Sequence, residues 1–156
     1  MKSTGLFILL FLLASCEVEE NHVRIFYFRI DGETVFLKGR AQLYTNYDVD
    51  TPFSTDYYIY NLETPQLHIN TGLDSTMAAE YFDFPRVAAK YSFTDSLNRA
   101  WNYTSVEGNL EITDVSEGVL FGDFEFVLIN NRVETDTIRL TDGHFEISLE
   151  NLQRVW

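Results

Sequence analysis

The chain has 156 residues, of which 24 are Asp or Glu and 11 are Lys or Arg, for a formal net charge of −13 at pH 7. That length suits one domain of ordinary size, and a field of this sign opposes binding to phosphate backbones and docking on anionic headgroups. With 13 Phe, 9 Tyr, 2 Trp, only 3 Pro and a single Cys, the composition points to strands without disulfides.

Residues 1–15 have the parts of a secretory signal: Lys2, an apolar run at 5–13 (GLFILLFLL), then the small residues Ala14 and Ser15. The apolar run is about ten residues, whereas a membrane-spanning helix needs ~20, so the segment reads as a signal and not a span. Its end, Leu13-Ala14-Ser15-Cys16, resembles the bacterial lipobox. The resemblance implies that the Cys16 thiol receives a diacylglycerol, that the chain is cut before it, and that the new amine is acylated. Three acyl chains, at about 0.8 kcal/mol per buried methylene, hold a membrane far more firmly than one. The alternative is an ordinary secreted protein cut at Ala14-Ser15, which would leave Cys16 a free thiol in an oxidising compartment.

Residues 16–22 carry Glu17, Glu19 and Glu20 and read as a solvated acidic tether. Glu17 stands where enterobacterial lipoproteins retained at the inner membrane carry aspartate, so the resemblance implies the outer membrane. The acidic cluster also resembles the surface-export signal of lipoproteins from the Bacteroidota, which leaves the periplasmic and the surface-exposed face both open. Loss of Lys2 with the signal leaves 10 basic against 24 acidic side chains, a net −14.

From residue 23 to 150 the pattern is that of strands. Residues 23–30 (VRIFYFRI) are apolar on both faces, as in a strand covered on both sides. Asp31-Gly32 fits a two-residue type I′ turn into a partner strand at 33–37. Residues 38–40 interrupt the pattern and 41–45 resume it. Residues 46–55 are the most loop-like stretch. Strands follow at 57–60 and 66–70, with a turn at 63–65. A short helix at 76–81, capped by Ser75, is as compatible with residues 71–83 as its absence. Beyond Pro85, residues 86–93 alternate, with Val87, Ala89, Tyr91 and Phe93 on one face; 95–99 is polar loop. Separate short strands are expected at 101–105 and 108–113, the latter with Leu110 and Ile112 inward.

Residues 119–129 (VLFGDFEFVLI) form the clearest strand, with Leu120, Gly122, Phe124, Phe126 and Leu128 on one face. Gly122 inside such a run signals a bulge or a close backbone approach. Asn130-Asn131 turns the chain into 135–140, and Asp142-Gly143 is expected to turn it again into 144–149, with Phe145, Ile147 and Leu149 inward. Residues 151–156 remain as a tail. About ten short strands joined by turns imply an all-β fold, a single antiparallel β-sandwich or open barrel.

Gly108-Asn109-Leu110-Glu111-Ile112-Thr113, Gly122-Asp123-Phe124-Glu125-Phe126 and Thr141-Asp142-Gly143-His144-Phe145 together resemble the C-terminal half of small all-β lipoproteins from the Bacteroidota. The resemblance covers residues 86–149, the lipobox and the turn at Asp31-Gly32. It rests on turn glycines and inward aromatics, and implies a tethered envelope domain with no assigned activity.

Chemistry-bearing motifs are sparse. His22, His68 and His144 have no metal-ligand spacing, and no metal or other cofactor is expected. Asp48/Asp50 lack the rest of a calcium loop; Asp31/Glu33 flank a turn, and Asp123/Glu125 share a solvent face. There is no nucleophile elbow, P-loop or dinucleotide fingerprint. The binding candidates are aromatic: Tyr57, Tyr58, Tyr60, Trp101 and Tyr103, which suit sugar stacking or an apolar pocket. The expectation is a non-enzymatic binding or structural lipoprotein, held to the membrane through Cys16, with a glycan, a small molecule or an envelope protein as partner and no nucleic acid. A hydrolase is the lesser alternative, since it needs two facing carboxylates or a carboxylate–histidine pair in a cleft.

Overall fold

A computed structural model describes residues 25–48, 51–71 and 80–155, with side chains for 25–44, 56–71 and 81–150. The described chain is all β: β1 (Ile25–Ile30), β2 (Glu33–Phe36), β3 (Gly39–Asp48), β4 (Thr51–Asn61), β5 (Gln66–Thr71), β6 (Glu80–Asp83), β7 (Val87–Thr94), β8 (Ala100–Ser116), β9 (Val119–Asn130) and β10 (Thr137–Val155). Cys16, the tether and residues 72–79, where the helix was an open question, lie outside the described residues. No described helix is long and apolar enough to cross a membrane.

Hydrogen bonding runs β10-β3-β4-β5-β7-β8 and returns through β9 to β10, so seven strands close into a barrel. Closure removes the free edges that open sheets expose. Two additions remain. The β1–β2 hairpin extends the sheet from the first half of β10, and β6 extends it from the second half of β8. The two edge strands, β2 and β6, are four residues each, too short to template pairing with another chain.

The barrel is mixed, a departure from the all-antiparallel expectation: Leu149 to Val155 of β10 pair in parallel with Ala41 to Tyr47 of β3. Residues 151–155, expected as a tail, are therefore the strand half that closes the ring. Nor are all strands short. The two segments expected at 101–105 and 108–113 are one strand, β8, bent by register shifts between Ser105 and Glu107 and between Ile112 and Asp114. Asp142-Gly143 is not a turn. Leu140 opposes Phe126 and Gly143 opposes Phe124, so one extra residue bulges out and β10 continues. Residues 46–48 and 51–55, expected as loop, lie in paired ends of β3 and β4. By contrast, Asp31 (φ 51°) and Gly32 (φ 83°) are both left-handed, as a type I′ hairpin requires.

Residues 25–30 bury only one face, that of Phe26 and Phe28, against the two expected; Tyr27 and Arg29 lie outside. The core is a box of phenylalanines. Phe124 meets Phe26, Phe28, Phe126 and Phe145 at centroid distances of 5.9–6.3 Å. Each buried ring of this kind stabilises the fold by about 1.5–3 kcal/mol. Glycine makes room for them. A Cβ on Gly122 would fall 2.5 Å from Phe145 Cζ, and one on Gly143 would fall 2.5 Å from Phe124 Cε2. The close approach expected at Gly122 is thus a ring lying on the backbone.

Buried polar side chains substitute for missing ladder bonds. Asn61 donates to the carbonyls of Glu63 and Pro65 and accepts from the Leu67 amide, which fixes the β4–β5 turn. Thr71 Oγ1 accepts from Tyr57 N and Ser105 Oγ from Ala89 N, each at 2.9 Å.

Candidate binding site at the barrel mouth

Side chains of β1, β2, β7, β8 and β10 wall an open concavity, here called the barrel mouth. Alternation on β7 and β8 points Tyr91, Phe93, Trp101 and Tyr103 inward or onto the rim. The ladder pairs Tyr91 with Tyr103 and Phe93 with Trp101. Phe93 then lies nearly parallel to both neighbours, at 6.3 Å and 14° to Trp101 and at 6.2 Å and 10° to Tyr103. Tyr91 sits edge-on to Phe28 at 5.8 Å, which joins the stack to the core. Such offset and edge arrangements add about 0.5–1.5 kcal/mol per pair beyond area burial.

The opposite wall is aliphatic: Ile30, Val35 and Ile138, with Asp31, Glu33 and Asp136 at the rim. The concavity is open to solvent and has a volume of about 630 Å³, within the roughly 300–1,000 Å³ range of small-molecule sites. No Lys, Arg or His lines it. Asp136 is fixed from below: Tyr103 Oη donates to Oδ2 at 2.7 Å and Asn130 Nδ2 donates to the same oxygen at 2.9 Å. Oδ1 receives no donor among the described residues. The Tyr103 hydroxyl titrates above its ordinary value, first because it is buried and second because it donates to Asp136. It is therefore a neutral donor at any physiological pH. Burial does the same to Tyr91.

The β7–β8 turn holds the aromatic wall. Asp95 Oδ1 accepts from the amides of Leu97 and Arg99; Oδ2 accepts from Arg99 Nε at 2.7 Å and from Trp101 Nε1 at 3.1 Å. The Arg99 guanidinium lies 5.6 Å over the Trp101 ring. These donors, led by the Arg99 amide, hold the Asp95 carboxyl down at about 2. One carboxylate thus locks both the turn and the indole.

The five residues singled out from the sequence separate. Tyr103 lines the mouth, and Trp101 stands behind it, stacked on Phe93. Tyr57 is a correction: it is fully buried in the core and cannot meet a ligand there. Tyr58 and Tyr60 point out from the other face of β4. Sequence reasoning missed Phe93, Tyr91, Ile30, Val35, Ile138 and Asp136. The inward alternation of Tyr91 and Phe93 was a usable signal; the arrival of Asp136 from a distant turn was not. Asp31 and Glu33 do more than flank a turn, since both line the mouth.

His144 is not isolated either. Its Nδ1 lies 2.7 Å from Asp123 Oδ1 and its Nε2 3.5 Å from Glu146 Oε1. This outer groove, about 390 Å³, also holds Glu111, Glu125 and Asp142, so it contains the carboxylate–histidine pair that the hydrolase alternative requires. Among the described residues no three His, Cys, Asp or Glu side chains come together as metal ligands. Asp48 and Asp50 fall where side chains are not described. Comparison with protein-family models, curated proteins and solved structures finds no match.

Proposed function

We propose that this chain is a lipid-anchored envelope protein whose barrel binds a small ligand non-enzymatically, the ligand having an apolar body and a cationic head. The observation that carries the reading is the mouth: an aromatic stack and an aliphatic wall flanking an open concavity of about 630 Å³, rimmed by three carboxylates with no basic side chain to offset them. Aromatic faces attract ammonium groups by roughly 0.5–2 kcal/mol, more as water is excluded. A carboxylate with a free oxygen supplies the counter-charge, and Asp136 is held in place to do so. The lipobox resemblance at Cys16 and the acidic tether support attachment to the outer membrane through acyl chains, and the resemblance to small Bacteroidota lipoproteins supports the same setting.

Benzyltrimethylammonium and its uncharged carbon analogue test the mouth, with intrinsic fluorescence as readout. The cation is expected to bind the full chain, and Phe93→Ala or Asp136→Asn to weaken it about tenfold each. Equal binding of the neutral analogue would refute the role of the rim; no binding of either to folded protein would refute the site. The anchor has its own test. Palmitate label is expected on wild type and not on Cys16→Ala, and label persisting in the variant would overturn the acylation.

A further inference from the structure

A second surface lies on the opposite side of the barrel wall. Arg40 opposes Tyr60, Tyr60 opposes His68, His68 opposes Lys90, and Lys90 opposes Thr104, so one ladder row crosses β3, β4, β5, β7 and β8. The row faces out, because Ala41, Ile59, Ile69, Ala89 and Tyr103 beside it on those strands are buried. At one end His68, Lys90 and Thr104 join Arg132, Asn102 and Asn131 around a groove of about 270 Å³. At the other, Arg40 and Tyr60 line a groove of about 230 Å³. The Tyr60 and His68 rings, 6.2 Å apart, connect the two.

Charge is distributed unevenly between this row and the rest of the molecule. Arg29, Lys38 and Arg99 pair with Asp142, Glu63 and Asp95. Arg40, Lys90 and Arg132 make no ion pair among the described residues, and nor does Arg139 away from the row, but Arg139 shares its groove with Glu107 and Glu125. No Asp or Glu lines the first groove, and the one in the second, Glu150, accepts a hydrogen bond from Gln42. Two uncompensated cations on an acid-poor row, with Arg132 beside it, make a local surface suited to an anion against the chain's net −13.

We propose that this row is a docking track for an acidic polysaccharide, a linear chain of sugar rings carrying carboxylate or sulfate groups. Neighbouring strands are about 4.8 Å apart, close to the advance of one pyranose ring along a linear chain, so each strand presents one side chain per ring. Arg40 and Lys90, three strands apart, meet acidic groups; the half-buried Tyr60 ring between them offers a stacking face. Thr104 Oγ1 donates to Asn131 Oδ1 at 2.9 Å, which leaves the Asn131 amide donors, the Asn102 side-chain amide and the Thr104 lone pairs for ring hydroxyls. The row has no protruding aliphatic side chain to insert among lipid tails, which favours a glycan over a membrane surface. The outward side chains of the row stand apart from the mouth, although the groove beside them shares Tyr91 and Tyr103 with the mouth's lining.

Calorimetric titration of the full chain in detergent with oligogalacturonate, and with an uncharged oligosaccharide of equal length, tests the proposal. The acidic oligomer is expected to bind, with affinity falling steeply with added salt. Lys90→Ala and Arg132→Ala each weaken it about tenfold, the loss of one charge-assisted contact. Tyr60→Ala weakens it further, and Lys90→Arg retains it. Circular dichroism of each variant separates lost contacts from lost fold. Equal binding of the uncharged oligomer, or indifference to all three substitutions in folded protein, would overturn the proposal. So would preferential binding, by the same residues, of anionic phospholipid vesicles or of a polyglutamate peptide.

Discussion

Single residues set the tolerances of this barrel. Gly122 sits in the middle of β9 because Phe145 lies against its Cα; a methyl there collides with Phe145 Cζ at 2.5 Å and with the backbone of Glu111. Backbone cannot yield as a side chain tip can, so Gly122→Ala is expected to destabilise by about 1–3 kcal/mol, read as a lower urea midpoint at unchanged slope. Asp95 acts through pH. Its carboxyl, ordinarily near 3.8, is held at about 2 in the folded chain. A lowered value means that its contribution is fully present above pH 4 and is lost as pH falls towards 2. Asp95→Asn should therefore be less stable than wild type at pH 6, with the gap narrowing between pH 4 and pH 2. A gap that stays constant over that window would show that the ionised carboxylate is not what holds the turn. Because Asp95 also accepts from the Trp101 indole, the same variant should shift the emission of that tryptophan.

Elements show what was legible in the sequence and what was not. Period-two alternation identified β9 and β7 correctly because each buries one face against the core along its whole length. The same local chemistry misled at Asp142-Gly143. Asp31-Gly32 and Asp142-Gly143 are the same dipeptide, and the aspartate has positive φ in both. Whether such a pair reverses the chain depends on its flanks. Around Asp31 the flanks pair with each other. Around Asp142 they pair with β9 on one side and β1 on the other, so the extra residue can only bulge. That decision is made by β9 and by the distant β1, and no short window of sequence contains it. The aromatic half of the mouth was partly readable for the reason that β7 was; the Asp136 half was not, because it depends on barrel closure. The two glycines therefore differ in what they tolerate. Gly32 has open space around its missing Cβ, so Gly32→Asn, which keeps a residue tolerant of positive φ, should cost well under ~1 kcal/mol. Gly143→Asn meets the Phe124 ring and should cost several-fold more. Paired thermal unfolding curves check the ranking.

At the scale of the whole molecule, two outward rows carry opposite charge. The row Arg40, Tyr60, His68, Lys90 and Thr104 lies on one side. On the other, the ladder aligns Tyr81, Glu111, Asp123, His144 and Tyr27 across β6, β8, β9, β10 and β1. Glu111 stands directly opposite Asp123, an arrangement that destabilises a sheet by roughly 0.2–1 kcal/mol, and Glu125 lines the same groove. His144 bonds to Asp123 and leaves Glu111 uncompensated. Folding therefore concentrates like charge on this face against its own stability, and the net −13 adds to the repulsion. Salt should relieve it: the unfolding midpoint is expected to rise between low and physiological ionic strength, where screening shortens to about 8 Å. Glu111→Lys should convert repulsion to attraction and stabilise the protein at low salt by about 0.5 kcal/mol, an advantage that disappears near 1 M salt. Lys90→Glu, which adds a carboxylate to the opposite face among cations already present, should leave the salt dependence of stability nearly unchanged while abolishing acidic-oligosaccharide binding. If the two substitutions shift the salt dependence alike, charge is felt by the barrel as a whole and the two faces are not separate fields.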